Sequence, residues 1–157
     1  MRAGTQQKMA NKTMTMLEKL RRVRNGELTQ PPVARLIGFD LTEVSEGSAT
    51  VTFQADTRHT NPMGTLHGGI LCDIADAAMG IAYASTLGEG ESFTTLELKI
   101  NFLKPVWKAK LTAEGRVVKR GRTIGLTDCN IYDEQRKLVA FCTGTCMTLR
   151  GEEASGR

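Results

Sequence analysis

The residues best suited to chemistry lie in one stretch, Asn61-Pro-Met-Gly-Thr-Leu-His67-Gly68-Gly69-Ile-Leu-Cys-Asp-Ile-Ala-Asp76. A glycine-rich segment, residues 59–69, runs into a helical pattern from Ile70 to about Ser85, which puts His67, Gly68 and Gly69 at a helix start. The first four N–H groups of a helix have no partner within it. Their partial positive charge suits a carbonyl oxygen that becomes negative during a reaction. Glycine at 68 lets a substrate approach the backbone closely. Asp76 falls about two turns further on, in a helix that is otherwise small and apolar, where an unpaired carboxylate is costly unless it has a use. A plainer reading of the same residues is a tight loop closed by a helix cap, with an aspartate tied to a backbone amide. A glycine-rich loop before a helix does not by itself decide between them.

The elements that must position these residues follow from periodicity. Thr13, Met16, Leu17, Leu20 and Val23 have helical spacing, Thr15 with Glu18 forms a capping-box pattern, and Asn25-Gly26 is a stop signal. After Pro31-Pro32 comes a helical turn over 33–36, then a hairpin with strands near 40–44 and 49–55. Four alternating segments near 93–103, 109–119, 123–133 and 137–149 read as an antiparallel meander. In the first, Thr94, Leu96, Leu98, Ile100 and Phe102 form one face and Thr95, Glu97, Lys99 and Asn101 the other, which is a strand with one buried side. The long helix carries Ala75, Ala77, Ala78, Gly80, Ala82 and Ala84 and is thin on nearly every side. Such a helix suits a sheet that curls closely around it, giving an α+β architecture with a curved antiparallel sheet wrapped around one long central helix.

Composition narrows the function classes. The chain has 157 residues, 40% hydrophobic and 24% charged, which fits one globular domain with its own core. Residues 1–30 form a basic arm and helix, 31–150 the main domain and 151–157 a tail. The arm holds Arg2, Lys8, Lys12, Lys19, Arg21, Arg22 and Arg24 against Glu18 and Glu27, while the remaining residues are close to neutral. Basic charge confined to an arm argues against a nucleic-acid surface, which spreads over a folded face. The longest mainly apolar stretch, 74–84, is interrupted by Asp76 and is too short to span a bilayer, so no membrane association is expected. Cys72, Cys129, Cys142 and Cys146 lack paired spacing, and reduced thiols in a cytoplasmic protein are the expectation. Two histidines cannot assemble a zinc site, and neither GxSxG nor GxxxxGK[ST] occurs, so no metal is expected.

From about Pro32 to Leu149 the chain resembles the hotdog-fold acyl-CoA thioesterases, in particular the phenylacetate-pathway-type (PaaI-like) branch. The resemblance is carried by Asn61 through Gly69, Asp76 nine residues after His67, Thr95 through Pro105, the Gly121-Arg122-Thr123 turn and the last strand, Cys-Thr-Gly-Thr-Cys-Met-Thr-Leu. It implies hydrolysis of an acyl- or aryl-CoA, with coenzyme A as part of the substrate and no separate cofactor. Gly68 N–H would hold the thioester oxygen, Asn61 would position the carbonyl or water, and Asp76 would act as general base or nucleophile. Asp73 competes for that role, but the family spacing favours Asp76. Thr95 would assist with the water, with Thr94 its substitute if the strand register differs. His67 either shapes the loop or touches substrate, and Gly69 belongs to the binding loop. Arg116, Lys119, Arg120 and Arg122 could bind the CoA phosphates, or form a solvated, charge-protected hairpin edge. Trp107, Phe53, Phe93 and Phe141 are candidate walls of an acyl channel. The resemblance also implies a site shared between subunits, hence a homodimer at least and by family analogy a tetramer. Hotdog dehydratases use an Asp-x-Asn-x-x-His arrangement that is absent here. The rival reading is a hotdog domain that binds acyl-CoA without turning it over, as a sensor or regulator.

Overall fold

The computed structural model describes residues 14–156, so the part of the basic arm before residue 14 lies outside the described residues. Helix α1, Met16–Arg24, starts at a capping box in which the Thr15 hydroxyl accepts from Glu18 N–H and the Glu18 carboxylate accepts from Thr15 N–H. Its apolar side, including Leu17 and Leu20, packs on the sheet and on the end of the long helix. Helix α2, Pro32–Ile37, begins at proline and ends at Gly38 in the left-handed conformation. Strands β1 (Phe39–Ser45) and β2 (Ser48–Ala55) form the expected hairpin. Helix α3, Gly68–Ala84, is followed by β3 (Ser92–Phe102), β4 (Ala109–Arg120), β5 (Ile124–Tyr132) and β6 (Leu138–Leu149).

All six strands form one antiparallel sheet in the order β1-β2-β4-β5-β6-β3. Of the last four strands, only β4, β5 and β6 are neighbours in chain order. Strand β3 crosses over to the far side of β6 and becomes an edge, while β4 pairs with β2, so the four-strand meander expected from the sequence is corrected to three. A second correction concerns the faces of β3. The register shifts between Thr95, opposite Cys146, and Glu97, opposite Thr145, leaving Leu96 as an extra residue in a β-bulge. The bulge reverses the alternation: Phe93 and Thr95 share the inner face with Leu98 and Ile100, and Leu96 is 52% exposed.

The sheet can wrap α3 because both surfaces are pared down where they meet. Ala75, Ala78 and Ala82 are fully buried on the helix. Opposite them, a Cβ at Gly115 of β4 would lie 2.4 Å from the Ala78 carbonyl carbon and 2.7 Å from the Met79 nitrogen. A Cβ at Gly125 of β5 would meet the Tyr83 ring at 2.3 Å. Buried Val51, Phe53, Leu111, Ile131 and Val139 fill the remaining space around Leu71, Ile74 and Met79. Because the Gly115 contact is with backbone, a methyl group there cannot be accommodated by a rotamer change. Gly115→Ala is expected to destabilise the fold by about 3 kcal/mol, measured by denaturant unfolding against the parent.

Candidate active site

The N-terminus of α3 offers one backbone donor. His67 is the N-cap, and its Nδ1 accepts from Gly69 N–H at 2.9 Å. Its carbonyl accepts from Ile70 N–H at 3.1 Å. Among the described residues Gly68 N–H has no partner, and it sits at the positive end of a 17-residue helix. His67 therefore shapes the helix start. With Nδ1 committed as an acceptor, a neutral His67 carries its proton on Nε2. Its backbone is fixed as well, since His67 N–H donates to the His59 carbonyl at 2.8 Å.

Asn61 closes the preceding loop. Its Oδ1 accepts from Met63 N–H at 2.9 Å and Thr65 N–H at 3.2 Å, and its Nδ2 donates to the Thr65 hydroxyl at 2.8 Å. The neighbouring Leu66 N–H donates to the Val106 carbonyl at 2.7 Å, tying the loop to the segment after β3. Asn61 thus holds the segment that delivers Gly68, with one amide proton left over. A cavity of about 410 Å³ opens beside Gly68, between this loop and residues 102–106.

Asp76 lies on the exposed side of α3, together with Asp73. The Thr95 hydroxyl donates to Asp76 Oδ1 at 3.0 Å, a contact that exists only because the bulge turns Thr95 inward. One Asp76 oxygen is thereby oriented and the other left open. Thr94 faces away. Asp73, one turn earlier, has its pKa raised by partial burial and then by the charge of Asp76. Along the helix, Gly68 and Asp76 are eight residues apart, about 12 Å at 1.5 Å per residue. That exceeds what one carbonyl and one attacking water can bridge, because a base must stand about 3 Å from the proton it removes.

The basic residues divide into two kinds. Arg116 is held by Asp128 in a two-bond pair at 2.8 and 2.9 Å. Arg120 donates to Glu91 at 3.2 Å and Thr86 at 3.1 Å and lies over the Tyr83 ring. Arg150, which sequence reasoning did not single out, joins it on Glu91. Lys119 and Arg122 are exposed, and their side chains have no partner among the described residues. The four cysteines are free thiols, Cys129, Cys142 and Cys146 being buried, and burial pushes the Cys142 thiol up to about 12. Among the described residues no cluster of three or more His, Cys, Asp or Glu side chains could hold a metal ion. No described helix is long and apolar enough to cross a membrane.

Of the expected wall residues, Phe53 is in the core, Phe93 packs on Tyr83 and Trp107 is 58% exposed. None of these lines the cavity at Gly68. Phe102 and Leu103 do, and the sequence pattern gave no reason to single them out.

A curved six-stranded sheet around one long helix, with an N-terminal donor and an aspartate on that helix, defines a hotdog-type protein. Residues 63–140 match the family model described as Thioesterase superfamily. The chain is 31% identical over 119 residues to the acyl-coenzyme A thioesterase PaaI of Escherichia coli, covering 75% of this chain and 83% of that protein. It is 28% identical to the 1,4-dihydroxy-2-naphthoyl-CoA hydrolase of Listeria monocytogenes, covering 70% and 88%. The solved structure of the E. coli PaaI protein from the phenylacetic acid degradation operon superposes with a TM-score of 0.76 at 28% identity, covering 87% and 98%. A Haemophilus influenzae thioesterase structure gives 0.74 at 25% identity, covering 83% and 90%. The chain belongs to the thioesterase superfamily, as a hotdog-type member of the thioester-hydrolase class.

The position of Asp73 predicts a pH effect. A carboxyl group whose folded pKa is raised destabilises the folded state once it must ionise. This penalty is absent below the ordinary carboxylate range and complete above the raised value, so stability falls as pH rises through that window. Asp73→Asn is expected to raise the melting temperature relative to the parent at neutral pH. The gain should vanish toward acid, in thermal melts from about pH 3 to about pH 8.

Proposed function

We propose that the protein hydrolyses the thioester of an acyl- or aryl-CoA to the free acid and CoA, at a site assembled from two copies of the chain. The observation that carries this reading is the pairing of one unengaged helix N-terminal donor, Gly68 N–H, with a carboxylate oriented by Thr95 on the same helix. The first suits an oxyanion and the second a water. The names of the relatives, an acyl-CoA thioesterase and a naphthoyl-CoA hydrolase, support CoA as the thiol component.

In this reading Asp76 removes a proton from water as the oxygen attacks the carbonyl carbon. The carbonyl electrons move onto the oxygen held by Gly68 N–H. When the tetrahedral intermediate collapses, the C–S bond breaks, CoA leaves as thiolate, and the acid retains the new C–O bond. Thr95 orients Asp76 through one oxygen and leaves the other to act, here as general base on water, with direct nucleophilic attack the alternative use of the same atom. The roughly 12 Å between Gly68 and Asp76 of one chain favours pairing each with its counterpart on a second copy. Strand β3, an open edge running beside Asp76, is where that copy would extend the sheet. Dimers could pair further into tetramers. Lys119 and Arg122, the two cations of the β4–β5 hairpin with no partner among the described residues, are the proposed contacts for the CoA phosphates, and Gly69, at the start of α3, belongs to the proposed substrate-binding loop.

The test is release of free thiol from acetyl-, hexanoyl-, palmitoyl- and phenylacetyl-CoA. Turnover of at least one substrate is expected, with kcat lowered by at least about 100-fold in Asp76→Asn and about tenfold in Thr95→Ala. CoA esters that bind without turnover would replace hydrolysis by the acyl-CoA-binding reading.

A further inference from the structure

The half-exposed ring of Phe102 is not accounted for by core packing. It ends β3, opposite Ala140, and is 55% exposed. Its Cζ lies 2.9 Å and its Cε1 3.2 Å from where a Cβ on Gly68 would stand. The ring therefore rests on the bare face of the residue whose N–H is the free donor. The missing side chain at 68 makes room for Phe102 as well as for any substrate.

The cavity beside this contact has a mixed lining with a continuous apolar side. Leu66 and Leu71 are buried in its floor, and Leu103 and Val106 continue the wall from Phe102. Its polar side chains are largely engaged within the protein. Asn61 Oδ1 takes two amides of its own loop, and the charge of Lys104 is paired with Asp133. The cavity offers no unpaired charge, and the free donors beside it include the Gly68 N–H, which the thioester oxygen takes in this reading, and one Asn61 amide proton. A group entering it gains by burying carbon.

We propose that Phe102 is the specificity-determining residue of the acyl pocket: its ring, seated on Gly68, walls the cavity that receives an uncharged acyl or aryl group and sets the size accepted. This rests on the thioesterase reading for the identity of the substrate. A thioester whose oxygen accepts from Gly68 N–H has its carbonyl carbon within about 4 Å of that nitrogen. The first carbons of the acyl chain must then pass the ring. Truncating the ring lengthens and widens the cavity without touching Asp76, Thr95 or the Gly68 amide.

The test compares the parent with Phe102→Ala and Phe102→Leu on acetyl-, hexanoyl-, palmitoyl-, phenylacetyl- and succinyl-CoA. Calorimetric titration with the matching non-hydrolysable thioether analogues runs alongside, and melting temperatures verify folding. Phe102→Ala is expected to raise the ratio of kcat/KM for the bulkier over the smaller acyl groups by about tenfold or more, with Phe102→Leu between. Succinyl-CoA is expected to be the poorest substrate of the parent. The thioether affinities should reorder in the same sense. A uniform change across the panel, or an unchanged order of affinities in a folded variant, overturns the proposal. If the parent turns over nothing while thioether affinities still reorder in Phe102→Ala, the hydrolytic reading fails and the pocket assignment stands.

Discussion

The contact on which the rest of the structure depends is the approach of the α3 backbone to Gly115. A sheet can wrap a helix only if the two surfaces come within backbone distance, and here a single added carbon would meet the Ala78 carbonyl carbon at 2.4 Å. The buried alanines of α3 serve the same end from the other side. Little side-chain bulk separates helix from sheet, so the helix has almost no freedom to slide. Both α3 groups of the proposed site, the Gly68 amide at its start and Asp76 in its middle, are therefore fixed relative to the strands. The Thr95–Asp76 hydrogen bond at 3.0 Å depends on that placement.

The same rigidity separates the two groups that one reaction would use. Being eight residues apart on one straight helix, they cannot converge within one chain without unwinding it. Both nonetheless face outward, as does the edge of β3. One constraint thus links the fold to the assembly: the helix holds its donor and its carboxylate apart, and a second copy is the simplest way to bring a matching pair together.

The long helix, the hairpin and each strand were legible in the sequence to within two residues, because their apolar periods are strong and glycine or proline marks many of their ends. The capping box at Thr15 and Glu18 was equally local. Strand order was not legible, since nothing in the alternation of residues 92–102 says whether β3 pairs with β4 or β6. The inward turn of Thr95 depends on the bulge at Leu96, and an apolar residue in an alternating strand gives no sign that it will be skipped. Arg116 and Arg120 looked like free cations because Asp128 and Glu91, which hold them, are 12 and 29 positions away. The stretch from Asn61 to Asp76 was legible as one candidate region, but not the local hydrogen bonding in which His67 and Asn61 hold the loop and Gly68 N–H is left without a partner among the described residues. Phe102 was counted as core because its alternation matched that of Leu98 and Ile100.

The most direct test of the shared site is complementation between two inactive variants. Asp76→Asn removes the base. Gly68→Pro removes the donor N–H at the first helical position, where proline is tolerated, and Gly68→Ala, which keeps the N–H but also sets a Cβ against the Phe102 ring, is the control for added bulk. Co-expressed with different tags and purified as mixed assemblies, the two chains form dimers in which one site has both native groups and the other has neither. With one complete site in two, the purified mixed dimers are expected to recover about half of the parent thioester turnover from two preparations that each show almost none. A mixed preparation as inactive as its parts would contradict the account and place donor and base within a single chain.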